Sequence, residues 1–281
     1  MTAPRTIADA FRATSTILAS AGVPEPAKDA RLLLSHAVGL SSDRLIMAMQ
    51  EPLPDSAEPR LASMVEARCK RQPISQIIGQ RQFWGRDFRV TPDVLDPRPE
   101  TEVLIAAALS APFTRVLDLG TGSGAILVTL LSERPSAQGV ATDLSPAALA
   151  VAQDNAVRLG VAERASFLPG SWFDPVQGMF DLIVSNPPYI AADEIPALSP
   201  EVLNWEPHMA LTPGGDGLDA YRAITAGAPH YLRPNGRLLM EIGPTQGAAV
   251  ASLCHAAGLT SPSILQDMDG RDRVVSAVLA V

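Results

Sequence analysis

A polar tetrapeptide at residues 186–189 follows directly on an apolar run at residues 180–185. Residues 182–184 are expected to form a buried strand, and the two prolines that follow cannot continue a strand ladder. Open α/β sheets bind their ligands beyond the carboxyl ends of the strands. The residues of the tetrapeptide are therefore predicted to face a ligand: Asn186, Pro187, Pro188 and Tyr189.

The chemistry of this tetrapeptide suits one kind of ligand group. Asn186 offers a side-chain carbonyl oxygen, and the backbone carbonyl of Pro187 has no competing N–H donors beside it, because prolines carry none. Two neighbouring acceptors favour an NH2 group on a planar carbon. Tyr189 is then expected to lie against the plane of that group. The alternative for these residues alone is a proline-rich turn after a core strand.

A glycine-rich turn lies upstream, between a predicted strand at residues 115–119 and a helix that runs on to Leu131. It consists of Gly120, Thr121, Gly122, Ser123 and Gly124. Such a turn lets backbone N–H groups approach a nucleotide-like ligand closely. The glycine spacing differs from that of dinucleotide-binding turns, which makes a dinucleotide ligand less favoured. A plain connection between strand and helix is the alternative.

A second predicted strand, at residues 140–142, ends in Asp143, nineteen residues beyond Gly124. A carboxylate at this place in an α/β sheet accepts hydrogen bonds from ribose hydroxyls. Taken together, residues 118–124, Asp143 and residues 186–189 resemble the motifs of class I S-adenosylmethionine-dependent methyltransferases that modify planar amino groups. The methyl group is then expected to point at the nitrogen bound by Asn186.

The flanking segments resemble one family within that class, the HemK/PrmC protein-(glutamine-N5) methyltransferases of peptide chain release factors. The similarity extends over roughly residues 30–280 and is most specific at residues 97–102 and 186–189. Further points of similarity lie at residues 83–85, 172–173, 206–207, 214–218 and 241–243.

The resemblance implies a cofactor, a substrate and a role for individual residues. The cofactor is S-adenosyl-L-methionine, which leaves S-adenosyl-L-homocysteine as product; its expected contacts are Gly120, Thr121, Gly122, Ser123, Gly124, Asp143, Trp172 and Asn186. The substrate is the glutamine of the Gly-Gly-Gln motif in bacterial class 1 release factors, methylated at N5 and bound by residues 186–189. Asn186, Pro187 and Tyr189 are the expected catalytic residues. No metal is required.

The predicted fold class is α/β, a Rossmann-like methyltransferase sheet with a small amino-terminal helical bundle and a β-hairpin linker. The expected domains are residues 1–82 for the bundle, 83–100 for the hairpin and 101–281 for the methyltransferase. Helices are predicted at residues 6–21, 25–38, 42–49 and 55–69, in a bundle that the resemblance assigns to substrate recognition. Residues 190–213 show no strong periodicity and are predicted to form a substrate-facing loop.

In the methyltransferase domain further strands are predicted at residues 165–168, 180–185 and 236–242, with an antiparallel pair at 263–267 and 272–280 turned near Asp269 and Gly270. Helices are predicted at residues 146–159, 217–230 and 245–257.

Composition restricts the partners. The net charge of −8 is uneven, because residues 1–90 hold 12 basic against 9 acidic side chains, whereas the remainder holds 10 against 21. An acidic catalytic half disfavours stable nucleic-acid binding, which depends on phosphate neutralisation. Two cysteines and four histidines, widely spaced, form no metal-ligand pattern. The absence of a long apolar run and of a signal peptide favours a cytoplasmic protein without membrane association.

Other functions are compatible with parts of the pattern. A ribosomal protein glutamine methyltransferase shares the tetrapeptide but usually lacks the arrangement at residues 97–102. A nucleic-acid amino methyltransferase, acting on adenine or guanine, uses the same tetrapeptide chemistry and needs a basic groove. A nicotinamide dehydrogenase would need a pyrophosphate turn and a hydride-handling residue. A non-catalytic S-adenosylmethionine-binding protein that only docks a partner would be favoured by the loss of either Asp143 or Asn186, and both are present.

Overall fold

The computed structural model describes residues 5–280, which divide into two compact units. The first comprises the residues up to Gly79 together with a later segment, Ser199–Trp205. The second comprises Gln80–Leu198 and Glu206 onwards. A segment from the middle of the chain thus belongs with the amino-terminal unit, a feature that local sequence patterns do not reveal.

The first unit is helical, as predicted. Its helices are α1 (Ile7–Ser20), α2 (Pro26–Val38), α3 (Ser42–Met47), α4 (Ala57–Cys69) and α5 (Ile74–Ile78), with Pro200–Trp205 added from the later segment. A capping box starts α1, because the Thr6 hydroxyl accepts from the Asp9 amide while the Asp9 carboxylate accepts from the Thr6 amide. Gly39, with φ of 77°, ends α2 in the left-handed conformation that glycine adopts freely.

The segment Ser199–Trp205 is fixed to the helices of its unit by ion pairs. Glu201 accepts from Arg71 at 2.7 Å through each of its two carboxylate oxygens, and also from Arg68 at 3.0 Å. Arg68 is buried and pairs on its other side with the buried Asp29 at 2.7 Å. Buried charges of this kind are stable only when each has partners, so these four side chains depend on one another.

The second unit starts with an antiparallel hairpin, β1 (Gln80–Phe83) and β2 (Arg86–Arg89). A seven-stranded sheet follows, in the order β5-β4-β3-β6-β7-β9-β8. Its strands are β3 (Arg115–Leu119), β4 (Gln138–Asp143), β5 (Ala165–Pro169), β6 (Phe180–Ser185), β7 (Leu232–Glu241), β8 (Leu259–Gln266) and β9 (Asp272–Leu279). The first five in sequence are parallel, and β9 is antiparallel to both of its neighbours.

The helices of the second unit are α6 (Glu102–Leu109), α7 (Ala125–Glu133), α8 (Pro146–Arg158), α10 (Asp219–Gly227) and α11 (Gly247–Ala256), α9 being Pro200–Trp205 of the first unit. The predicted α/β class is confirmed. Alternate residues of the central strands enter two separate apolar clusters, as in β6, where Leu182 and Val184 join one cluster and Ile183 joins the other. Both faces of the sheet are therefore covered, which is why β6 is apolar from Leu182 to Val184.

Three stretches of the sequence prediction need correction. Residues 74–78, which lie in the predicted bundle but in none of its four predicted helices, form helix α5, because Pro73 at its N-cap and Gly79 at its C-cap delimit a single turn. Helix α6 was not predicted at all, since it is almost uniformly apolar and shows little helical periodicity. Residues 190–213 contain short helical segments at Ile195–Ala197, Pro200–Trp205 and His208–Ala210 in place of a continuous loop.

Candidate active site

One cleft of the second unit lies at the carboxyl ends of β3, β4 and β6, with an empty volume of about 1010 Å³ that includes open solvent at its mouth. Chain order reverses there, since β3 lies between β4 and β6 in the sheet. Such a switch point is the usual ligand site of doubly wound sheets. Eight of the predicted site residues line this cleft: Gly120, Thr121, Gly122, Ser123, Asp143, Trp172, Asn186 and Pro188.

The glycine turn has the backbone that its sequence predicts. Gly120, Gly122 and Gly124 have φ of 70°, 53° and 78°, a region that side chains with a Cβ rarely adopt. A Cβ on Gly122 would meet open space, whereas one on Gly124 would lie 3.0 Å from the Cβ of Ala152. Gly122 therefore leaves room for a ligand, while Gly124, which does not line the cleft, lets α7 and α8 approach each other.

Asp118, at the base of the turn, holds the turn in shape. Its Oδ2 accepts from the Thr121 hydroxyl at 2.6 Å and from the Leu127 amide at 3.3 Å. Complete burial raises the pKa of Asp118 to about 7, because the charged form is poorly solvated there. Asp118 does not line the cleft, so its contribution is to the geometry of the residues that do.

Asp143 lies at the end of β4 and faces the same turn. Its Oδ2 accepts from the Gly122 amide at 2.9 Å, and its Oδ1 accepts from the Ser145 amide at 2.9 Å. A carboxylate has about four acceptor positions, so two are left for a ligand. The same side chain thus ties the turn to β4 and presents acceptors to the cleft.

Trp172 lies beside the glycine turn in a strained backbone conformation, with φ of 42°. Its carbonyl accepts from the Thr142 hydroxyl at 2.9 Å, which fixes the backbone at this point. A Cβ on Gly120 would lie 3.5 Å from Cζ3 of the indole, so the ring covers the turn. Part of the ring also packs on the apolar cluster beneath.

The tetrapeptide is divided between the cleft and the interior. Asn186 and Pro188 line the cleft, whereas Pro187 and Tyr189 do not. Tyr189 is partly buried, packs on the apolar cluster around Tyr221, and accepts at its carbonyl from Gln246 Nε2 at 2.8 Å. Burial raises the pKa of the Tyr189 phenol to about 12, so the ring stays neutral. The predicted roles of Pro187 and Tyr189 stay predictions.

The Asn186 side chain is oriented by a neighbouring hydroxyl. Its Nδ2 donates to Thr101 Oγ1 at 3.3 Å. Within the described residues, this is the one hydrogen bond that the amide group makes to the protein. The other amide atom, Oδ1, is thereby available as an acceptor. This is the atom that is predicted to accept from an NH2 group.

Another wall of the cleft was not among the predicted site residues. It is formed by residues 93–98, Thr101, Leu144 and residues 207–210, apart from His208. Arg98 Nη2 donates to both carboxylate oxygens of Glu206 at 2.8 Å, which joins the two stretches. Burial raises the pKa of Glu206. The motif at residues 97–102 was the available signal for this wall, although it gave no contact for any one side chain.

Among residues 5–280, no group of three or more His, Cys, Asp or Glu side chains is arranged to hold a metal ion. Within the same residues, no helix is long and apolar enough to cross a membrane.

Solved structures with the same architecture show the fold class. A methyltransferase from Pyrococcus furiosus aligns with a TM-score of 0.54 at 16% identity, over 80% of this chain and 100% of that one. The T. thermophilus 16S rRNA N2 G1207 methyltransferase (RsmC), solved with AdoMet and guanosine, aligns with a TM-score of 0.51 at 20% identity, over 71% and 49%. The chain has the Rossmann-like fold of the class I S-adenosylmethionine-dependent methyltransferases.

Sequence comparisons identify the family. The PrmC N-terminal domain matches residues 9–79, and the methyltransferase small domain matches residues 95–218. The release factor glutamine methyltransferase of Cereibacter sphaeroides is 62% identical over 97% of this chain and 98% of that protein. The protein of that name from Rhodospirillum rubrum is 44% identical over 92% and 80%. The chain belongs to the release factor glutamine methyltransferase family, which confirms the resemblance found in the sequence.

Proposed function

We propose that this protein transfers a methyl group from S-adenosyl-L-methionine to N5 of the glutamine in the Gly-Gly-Gln motif of class 1 peptide chain release factors. Family membership supports the reaction and the kind of substrate. The observation that carries the proposal is the Asn186 amide in the cleft, whose Nδ2 is held by Thr101 so that Oδ1 is free to accept from a planar NH2 group. Because the proposed substrates act in protein synthesis, the proposal includes a cytoplasmic location.

The residues of the cleft fit the proposed cofactor. The open space beside Gly122 allows close approach of a ligand to the backbone, and the spare acceptor positions of Asp143 suit ribose hydroxyls. The Trp172 ring beside Gly120 offers an apolar surface of the kind that covers a nucleobase. When bound, the cofactor supplies an electrophilic methyl carbon on a sulfonium sulfur. Residues 120–124, Asp143, Trp172 and Asn186 are proposed to hold it.

The amide of a glutamine side chain is a weak nucleophile, since its nitrogen lone pair is delocalised into the carbonyl group. Asn186 Oδ1 and the Pro187 backbone oxygen are proposed to accept its two hydrogens, which orients the nitrogen and stabilises the positive charge developing on it. Pro188 and Tyr189 complete the proposed binding site for the amide. The overall change forms one N–C bond and breaks one S–C bond, whose electron pair stays on sulfur, while the nitrogen releases one proton to solvent.

The test is mass spectrometry of a class 1 release factor after incubation with the protein and S-adenosyl-L-methionine. One added methyl group on the Gly-Gly-Gln peptide is expected, and none on a release factor in which alanine replaces that glutamine. Thr129→Val is a suitable control enzyme, because the Thr129 hydroxyl is buried in α7 without a partner in the described residues. Methylation of RNA, DNA or a ribosomal protein in place of the release factor would contradict the proposal.

A further inference from the structure

Three polar side chains from distant parts of the sequence lie in a row beside the cleft. Glu241, at the end of β7, accepts at Oε2 from the Thr101 hydroxyl over 2.6 Å, and Thr101 Oγ1 accepts from Asn186 Nδ2 over 3.3 Å. Glu241 and Thr101 are 1% and 4% exposed. Both belong to sequence motifs, at residues 97–102 and 241–243, and Glu241 has no part in the reaction as proposed above.

The order of donors along this row is determined by the carboxylate. A threonine hydroxyl has one hydrogen and two lone pairs, and an ionised glutamate can only accept. The single hydrogen of Thr101 is therefore engaged by Glu241, and a lone pair is left toward Asn186. Only the NH2 end of the Asn186 amide can meet a lone pair, since a flipped amide would place two acceptors against each other.

The carboxyl group of Glu241 is ionised above about pH 7 and is partly protonated near pH 7. Burial raises its pKa to about 7, while the hydrogen bond from Thr101 and the charge of Arg273, and more weakly that of Arg98, act in the opposite direction. Glu100 is the neighbouring negative charge. The Tyr189 phenol, whose pKa is raised to about 12, is neutral over the same range.

We infer that Thr101 and Glu241 are positioning residues that fix the Asn186 amide with Oδ1 toward the substrate. This inference rests on the proposed function, because it assigns the purpose of that orientation to the glutamine NH2 group. Neither residue needs to touch the reacting atoms. Without the row, the amide is free to rotate, and a fraction of the enzyme presents a donor where the substrate requires an acceptor.

The experiment is a double-mutant cycle between Thr101→Val and Asn186→Ala, read by single-turnover methylation of a release factor. Valine keeps the shape of threonine and removes the hydroxyl. Thr101→Val alone is expected to lower kcat about tenfold and to change KM for the release factor less than about twofold, because orientation and not binding is lost. In the Asn186→Ala background the same change is expected to have no further effect.

Three further variants make the outcome decisive. Thr101→Ser retains a hydroxyl and is expected to recover most of the rate, while Thr129→Val, which also removes a buried hydroxyl, is expected to match the wild type. Glu241→Gln keeps the shape of the side chain but adds an NH2 donor, so that a carboxylate no longer determines the order of donors along the row; it repeats the cycle should Thr101→Val fold poorly. Calorimetric titration of S-adenosyl-L-homocysteine into each variant is expected to give affinities within about twofold of the wild type.

The inference is overturned if wild type and Thr101→Val methylate equally fast, or if Thr101→Val slows Asn186→Ala as much as it slows the wild type. Absence of release-factor methylation by the wild-type protein is a different result, which contradicts the proposed function itself. A uniform loss of cofactor affinity in Thr101→Val and Glu241→Gln would assign both residues to structure and also overturn the inference.

Discussion

The two sides of the cleft are built by different means. On the side of the glycine turn, much of the surface is the backbone of residues 120–123, and the hydrogen bond beneath it joins Asp118 and Thr121, three residues apart. On the side of Asn186, the surface depends on side chains from separate segments: Thr101 and Glu241 are 140 residues apart, and Arg98 and Glu206 are 108 apart. A site can thus combine a surface dictated by local sequence with one that exists only after the chain has folded.

The strongest test of this contrast is at Asn186. Asn186→Ala removes an acceptor aimed at the substrate amide, so kcat is expected to fall by about 10²–10³ while cofactor affinity changes much less. Asn186→Asp retains an acceptor of similar shape and is expected to keep more activity than alanine, although its charge must be desolvated. Single-turnover methylation by folded variants measures both. Near-wild-type rates in both variants would remove Asn186 from the reaction.

The next largest effect is expected at Asp143, on the backbone side. Asp143→Ala should weaken cofactor binding by about 1.5–3 kcal/mol for each charge-assisted hydrogen bond lost. Asp143→Asn keeps an acceptor for the Gly122 or Ser145 amide and should weaken binding less. Calorimetric titration of the cofactor distinguishes the two. Equal affinity in wild type and alanine variant would show that ribose is bound elsewhere.

Trp172 is expected to give a smaller change in affinity. If its ring covers the adenine, Trp172→Ala should weaken cofactor binding by about 1–3 kcal/mol, as loss of base stacking does elsewhere. Addition of cofactor should then also change the tryptophan fluorescence of the wild type. Unchanged affinity together with a large drop in melting temperature would instead assign the ring to the apolar cluster on which it partly packs.

The smallest expected effect concerns pH and Asp118. Burial raises its pKa from 3.8 to about 7, so between these values the folded protein binds more protons than the unfolded chain. The stabilising contribution is complete below about pH 3.8 and is lost as pH rises through about 7. Asp118→Asn should make the slope of unfolding free energy against pH in this range less negative, by up to about 1.4 kcal/mol per pH unit.

Denaturant unfolding of both proteins between pH 5 and pH 7 measures that slope. Identical slopes in the two proteins would mean that Asp118 is not the group that titrates. Asp118→Asn should lower the methylation rate less than Asn186→Ala does, since Asp118 does not line the cleft.

The same contrast explains how far the sequence could predict the molecule. The strands around the glycine turn, the first four helices and the closing hairpin follow from local periodicity and turn residues, and the structure confirms them. Helix α6 was missed because its apolar residues lie on all sides. The pairs Thr101–Glu241 and Arg98–Glu206 could not be predicted, because no local pattern states which distant segments will meet.

Because Ser199–Trp205 belongs to the helical unit, the chain passes between the two units three times, at residues 79–80, 198–199 and 205–206. If the chain were truncated so that only the residues after Gly79 remained, Glu201 would be kept but both of its arginine partners, Arg68 and Arg71, would be lost. Loss of activity on such truncation would therefore combine the absence of the helices with a disturbed segment between the tetrapeptide and Glu206. A truncated variant without the amino-terminal helices should therefore also have Ser199–Trp205 replaced by a short linker.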